Sequence, residues 1–96
     1  MIVELDGSQM RSRALAHDHL MQKLRFPDYY GRNLDALYDL LTTRTEPTEI
    51  QVSHPEIMLE FLGDYGHRLI RTLEEAAQEN QFLKICIISE NNENNT

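Results

Sequence analysis

Hydrophobic and polar positions along the chain follow two different periods, and the change of period marks the predicted elements. Residues 2–5 form a short β-prone run, residues 49–53 alternate in period two, and residues 82–88 are almost continuously apolar. These patterns predict three strands. We expect the last strand to be buried on both faces of a parallel sheet, because such strands lack polar alternation.

Two helices are predicted between the first and second strands. The first begins after Ser8 or Ser12, either of which can act as its N-cap, and it must end before Pro27. The second follows Asn33, a preferred N-cap residue, and continues to Leu41 through good helix formers.

Two further helices are predicted between the second and third strands. One opens at Pro55 and ends near Gly63, and the other starts at about Gly66. The order β-α-α-β-α-α-β predicts an α/β fold in which a three-stranded parallel sheet is packed by four helices. We expect residues 1–89 to form a single domain and residues 90–96, which have nothing to bury, to be a disordered tail.

A rigid aromatic loop at residues 27–32 precedes the second helix. Pro27 fixes its own φ, and we expect Gly31 to adopt a conformation that other residues avoid. In the helix itself, Leu34, Leu37 and Leu41 share one stripe that should face the core. The opposite stripe is polar and should be displayed; it consists of Asp35, Tyr38, Asp39 and Thr42.

The two aspartates of this stripe repel each other, because no Lys or Arg separates them at their i, i+4 spacing. Asp35 lies in the first turn, where the helix dipole favours negative charge, but Asp39 lies deeper. Asp39 therefore looks placed for a group outside the chain. Tyrosines near such carboxylates, here Tyr38 and Tyr29, are common at protein interfaces; the alternative is an ordinary solvated helix face beside half-buried tyrosines.

Composition narrows the class of partner. The net charge is -7 with a pI near 4.9, which disfavours nucleic-acid binding and suits a basic protein. No segment approaches the length of a membrane span, and the first six residues lack a signal-peptide pattern. The single cysteine, Cys86, lies in an apolar run and is expected to be a small buried hydrophobe. We therefore expect a cytoplasmic protein without membrane contact.

Residues 27–42, PDYYGRNLDALYDLLT, resemble the signature of the barstar family, in which a Tyr-Tyr-Gly loop leads into an Asn-Leu-Asp-Ala-Leu helix. Weaker similarity at residues 6–12 and 74–76 extends the resemblance over nearly the whole chain, with residues 43–60 matching least. The resemblance implies the barstar-like fold and a non-enzymatic inhibitor. Its partner would be a basic, guanyl-specific extracellular ribonuclease, bound one-to-one by a chain that is monomeric when free.

The resemblance also implies which residues contact the partner. Asp39 corresponds to the carboxylate that enters the phosphate pocket of the enzyme, and Glu75 resembles a second acidic anchor on the last helix. The other implied contacts belong to the loop and the helix after it; they are Tyr29, Gly31, Asn33, Asp35, Tyr38 and Thr42.

Several positions depart from the family pattern. Tyr38 stands where the best-known member has tryptophan, and Thr43-Arg44 replaces a Gly-Trp pair. Arg32 replaces an acidic loop residue. We expect Arg32 and Arg44, beside the acidic stripe, to weaken attraction to a basic target, which concerns the choice of partner rather than the mode of binding.

Two other functions could use the same acidic stripe. An immunity or adaptor protein could use the same acidic face on a different basic toxin or regulatory partner. An enzyme could use Asp35 and Asp39 as a general acid and base, but an exposed helix face offers no dry pocket to separate their pKa values. His17 and His19 are two residues apart on a predicted helix and therefore do not share a metal. We expect no cofactor and no metal site.

Overall fold

The computed structural model describes residues 1–88. Along this part of the chain the helices and strands are β1 (Ile2–Asp6), α1 (Arg13–Leu24), α2 (Leu34–Thr42), β2 (Thr48–Ser53), α3 (Pro55–Leu62), α4 (Asp64–Glu79) and β3 (Leu83–Ile87), with a 3-10 turn at Gly7–Gln9 after β1. The predicted order of strands and helices is confirmed. The tail predicted at residues 90–96 lies outside the described residues.

The three strands form one parallel sheet with β2 in the centre. Val3 of β1 and Ile85 of β3 both pair with Ile50 of β2, which sets the register across the sheet. Val3 and Ile50 are buried with the helices against their face. The expectation of a three-stranded parallel sheet packed by four helices is therefore confirmed.

The prediction that the third strand is buried on both faces is wrong. Leu83 is buried, but Lys84 and Cys86 are exposed. The reason is that β3 lies at the edge of the sheet and the helices pack on one face of it. Cys86 shares a row with Glu4 and Gln51 on the opposite face, so it is exposed rather than a buried hydrophobe.

Side-chain caps fix the starts of the two helices that matter most for the site. Ser12, rather than Ser8, caps α1, since its hydroxyl accepts a hydrogen bond from the N–H of Leu15 at 3.1 Å. Asn33 caps α2, as predicted, and accepts from the N–H of Ala36 at 2.7 Å. The start of α2 is therefore held in place by its own sequence.

The buried residues form one cluster to which all three strands and all four helices contribute. Helix α2 packs directly against α4, so the back of α2 is fixed by the core. Within residues 1–88, none of the helices is long and apolar enough to cross a membrane.

Candidate partner-binding face

Helix α2 divides into a packed side and a displayed side, as its spacing predicts. Leu37 and Leu41 are fully buried, and Leu34 is half-buried against the core. Asp35 and Asp39 are exposed on the other side. The leucine side therefore fixes the orientation in which the two carboxylates are presented.

Neither carboxylate is used inside the fold. Among residues 1–88, no hydrogen bond or ion pair engages the side chain of Asp35 or Asp39. Their like charges repel each other at i, i+4 spacing, and no ion pair within residues 1–88 offsets this repulsion, which costs stability rather than adding to it. This arrangement leaves both carboxylates available for an external cation.

The remaining two residues of the displayed stripe are half-buried at its edges. Tyr38 packs against the hydrophobic core. The hydroxyl of Thr42 donates to the backbone carbonyl of Tyr38 at 2.9 Å, so it folds back on the helix. We call Asp35, Tyr38, Asp39 and Thr42 the acidic face.

The loop before α2 presents one tyrosine and anchors the next. Tyr29 is 80% exposed, whereas Tyr30 is only 4% exposed. The Tyr30 ring packs on Phe26, and its hydroxyl lies 2.6 Å from Nδ1 of His17. Tyr29 is thus displayed on a loop whose position is fixed by its neighbour.

Loop and helix meet at a shallow cavity of about 260 Å³. Tyr29 and Gly31 line it from the loop, and Asp39 and Leu40 line it from α2. The structure therefore brings together three of the predicted contact residues, Tyr29, Gly31 and Asp39, around one depression. An apolar floor beside a carboxylate suits a partner side chain with an aliphatic stem and a cationic end.

The conformation expected of Gly31 is found at the next residue instead. Gly31 does not have a positive φ, but Arg32 does, at 57°. Gly31 instead relieves crowding, because a Cβ atom there would lie 3.1 Å from the Cβ of Ala36, a tight contact. The loop thus lies close against the first turn of α2.

Asn33 has a structural role that accounts for its identity. Its side-chain oxygen caps α2, and its amide nitrogen donates to the carbonyl of Gly31 at 3.3 Å. Its predicted contact with a partner stays a prediction. Glu75, the predicted second anchor, is exposed on α4 and is not part of the cavity beside Asp39.

Arg44 does not lie beside the acidic face as expected. Its side chain is only 14% exposed and turns inward, where it donates to the carbonyl of Leu24 and the hydroxyl of Thr48. Arg32 does lie near the acidic face, since it lines a cavity together with Asp35. It also forms an ion pair with Asp18 of α1.

Two residues that support this face, His17 and Asn80, are not among those predicted from the sequence. His17 is buried between the hydroxyl groups of Tyr30 and Tyr65, and Asn80 is buried below the end of α2. A signal for His17 was available, because it is spaced i, i+3 and i+7 with Leu20 and Leu24, both of which are buried. No local pattern marks Asn80.

The histidines do not gather into a metal site. His17 bonds two tyrosines, and Nε2 of His19 accepts the N–H of Asp6 at 2.9 Å. Residues 1–88 contain no group of three or more His, Cys, Asp or Glu side chains that could hold a metal ion.

Comparison with known proteins adds two findings. Residues 1–90 match the family model described as Barstar (barnase inhibitor). The chain is also 41% identical over 76 residues to a protein of Bacillus subtilis (strain 168) named "Putative ribonuclease inhibitor YrdF". That alignment covers 78% of this chain and 84% of the relative.

Proposed function

The chain belongs to the barstar family, and we propose that it is a protein inhibitor of a ribonuclease, which it blocks with the acidic face of α2 and the loop before it. Family membership favours an inhibitor over an enzyme. The observation that carries the proposal is the pair of exposed carboxylates, Asp35 and Asp39, which have no partner within residues 1–88.

The chemistry of the target explains why carboxylates suit this role. An enzyme that cleaves RNA must hold a phosphate, and it does so with Arg, Lys or His in its cleft. A carboxylate placed there carries the same sign of charge as the substrate and accepts the same hydrogen bonds. Because α2 is fixed from behind by Leu37 and Leu41, little ordering remains to be done on binding.

We further propose that the target is a basic, guanyl-specific, barnase-like ribonuclease that is secreted by the producing cell. In this proposal the inhibitor acts in the cytoplasm as a monomer and binds one enzyme molecule. Asp39 would enter the phosphate pocket, with Tyr29 and Gly31 beside it. Asp35, Asn33, Tyr38, Thr42 and Glu75 would form the surrounding contacts.

The test is inhibition of RNA cleavage by purified guanyl-specific ribonucleases, measured against inhibitor concentration. Wild-type protein should abolish cleavage at about one equivalent. Asp39→Asn should weaken inhibition by about 30-fold or more, as expected for a central interface residue. The matched control is Glu60→Gln, which removes one exposed charge from α3 and should leave inhibition unchanged.

Ionic strength provides a second measurement. If steering by the acidic face drives association, the association rate should fall as salt rises, and the fall should be smaller for Asp39→Asn than for Glu60→Gln. Absence of inhibition of every guanyl-specific ribonuclease tested would contradict the finer proposal. Equal loss of inhibition in both variants would contradict the assignment of the acidic face.

An immunity or adaptor role is the second candidate. It would use the same face on a different basic toxin or regulatory protein. The observation that favours it is the position of Arg32, which lines a cavity together with Asp35 and adds a positive charge near the acidic face. Capture of a basic protein other than a ribonuclease by wild type, and its loss with Asp39→Asn, would decide for this role.

A further inference from the structure

A second cavity, of about 550 Å³, lies at the N-terminal end of α2, and its lining is strongly basic. The chain contains nine Lys and Arg residues and has a net charge of -7. Four of the nine nevertheless line this one cavity: Arg13, Arg32, Arg68 and Arg71. We call it the arginine cavity. Asp35 is its one carboxylate-bearing lining residue among residues 1–88.

The positive charge of the cavity is only partly compensated. Arg32 is paired with Asp18, and Arg68 lies 4.0 Å from Asp64, whose side chain is 92% exposed. Such an exposed pair is weak. Within residues 1–88, no carboxylate lies within 4.0 Å of Arg13 or Arg71. Like charges gathered in this way repel each other, and a bound anion relieves that repulsion.

Two of the arginines contact the ring of Tyr65, which is itself held in place by a hydrogen bond. The guanidinium carbon of Arg13 lies 4.2 Å from the ring centroid of Tyr65, and that of Arg68 lies 5.4 Å from it. The Tyr65 hydroxyl is fixed in turn by Nε2 of His17 at 2.7 Å. Stacking on an aromatic ring orients a guanidinium while leaving its N–H groups free to donate.

Two helices also begin at the cavity. Arg13 is the first residue of α1 and Leu34 is the first residue of α2, and both line it. The side-chain caps satisfy the N–H groups of Leu15 and Ala36, which leaves the first N–H groups of each helix for other acceptors. Both helix dipoles therefore add positive potential to that of the arginines.

We propose that the arginine cavity binds the phosphate group of a small phosphorylated ligand, either inorganic phosphate or a phosphomonoester. Guanidinium groups and helix N-termini are the donors that recognise phosphate, and a phosphate dianion offers three oxygens and two charges to four arginines. A single carboxylate would satisfy fewer of these donors. A long polyanion such as RNA is disfavoured by the overall negative charge and by the acidic face next to the cavity.

The inference does not require ribonuclease inhibition, because the four arginines belong to α1, α4 and the loop before α2, and Asp39 does not line the arginine cavity. The first experiment is titration of the ¹⁵N-labelled protein with inorganic phosphate at constant ionic strength, followed by amide NMR shifts. Saturable shifts should appear at Arg13, Ala14, Leu34 and Asp35, which line the cavity. Chloride at matched ionic strength should not reproduce them.

Arg71→Gln is the decisive variant, because Arg71 is exposed and makes no ion pair within residues 1–88, so its loss should leave the fold intact. Removal of one charged donor should weaken phosphate binding about tenfold. Lys84→Gln on β3 is the control for loss of one exposed positive charge and should bind phosphate as wild type does. Thermal unfolding checks that both variants are folded.

Two further titrations test whether a different kind of anion binds in the arginine cavity. Acetate and a short single-stranded RNA are titrated in the same way as phosphate. The proposal is overturned if phosphate shifts do not saturate, if acetate binds as tightly as phosphate, or if RNA binds and free phosphate does not. It is also overturned if Arg71→Gln and Lys84→Gln weaken phosphate binding equally.

Discussion

The hydroxyl of Tyr30 lies 2.6 Å from Nδ1 of His17, and both side chains are buried. Nε2 of the same imidazole lies 2.7 Å from the hydroxyl of Tyr65. A neutral imidazole has one donor and one acceptor nitrogen, so one tyrosine donates to His17 and the other accepts from it. This chain of bonds connects the loop before α2 to α1 and α4, and it fixes the loop that displays Tyr29.

Removing the Tyr30 hydroxyl should therefore loosen the fold. In Tyr30→Phe one nitrogen of a buried imidazole loses its partner, which should lower the free energy of unfolding by about 1–3 kcal/mol. Urea unfolding monitored by circular dichroism measures the change. Tyr29→Phe, which alters an exposed hydroxyl, is the control and should change stability by less than about 0.5 kcal/mol. Identical midpoints for the two variants would refute the role given to this bond.

Stability should depend on pH near neutrality. Burial, helped by the nearby Arg32 charge and opposed by Asp18, lowers the pKa of His17 from its ordinary value of 6.5. Burial also lowers the pKa of His19. Below pH 6.5 the unfolded chain takes up protons that the folded chain does not. The contribution of the neutral histidines to the free energy of unfolding should thus be fully present above pH 6.5. It should decrease as the pH falls below 6.5.

Urea unfolding at pH 7.5 and at pH 5.5 tests this expectation. His17→Gln should be less stable than wild type at pH 7.5 but should lose less stability on acidification. His67→Gln, which removes an exposed histidine, is the comparison variant for the loss of an imidazole. A wild-type stability that is the same at the two pH values would contradict the lowered pKa values of His17 and His19.

Asn80 should be needed for the C-terminal end of α2. Its amide nitrogen donates to the carbonyls of Leu41 and Arg44, both at 2.8 Å, and its oxygen accepts the N–H of Phe82 at 2.9 Å. Asn80→Ala removes all three hydrogen bonds, of which the one to Leu41 is buried, and should cost about 1–3 kcal/mol of stability. Gln78→Ala, at an exposed position of α4, is the matched control. Faster amide hydrogen exchange at Phe82, whose N–H loses its acceptor, would confirm the mechanism.

Gly7 should tolerate no side chain. A Cβ atom at this position would lie 2.0 Å from the backbone oxygen of His54, so two backbone segments would have to separate. Gly7→Ala should destabilise the protein by about 3 kcal/mol or more, at the upper end of overpacking costs. Gly63→Ala is the comparison, because Gly63 has a φ of 59° but open space around it. Backbone strain alone should cost Gly63→Ala about 1–3 kcal/mol, less than the clash at Gly7, and a reversed order of the two variants would contradict this explanation.

The acidic face could be predicted because helical geometry is local. Once residues 34–42 are known to form a helix, 100° per residue places Leu37 and Leu41 on one side and Asp35 and Asp39 on the other. The same holds for the caps, since Asn33 bonds a group three residues away. In this region the prediction for the loop was wrong, because Arg32 rather than Gly31 takes the left-handed conformation.

The predictions for β3 and Arg44 were wrong because residues distant in the chain determine the exposure of both. The apolar composition of β3 suggested burial, but its position at the sheet edge exposes Lys84 and Cys86. Arg44 was placed beside the acidic face, yet hydrogen bonds to Leu24 and Thr48 turn it inward. Neither the edge position nor those partners can be inferred from the residues next to each in the chain.

The amino-acid sequence alone determined the order of strands and helices and the two sides of α2, because hydrophobic periodicity and capping act over a few residues. Tertiary structure decided which tyrosine is displayed, since Tyr30 in the loop is held by His17 of α1. It also assembled the arginine cavity, whose Arg13, Arg32 and Arg68 are far apart in the chain. Packing of the helices brings these side chains together, and a sequence pattern that spans only a few residues cannot predict such contacts.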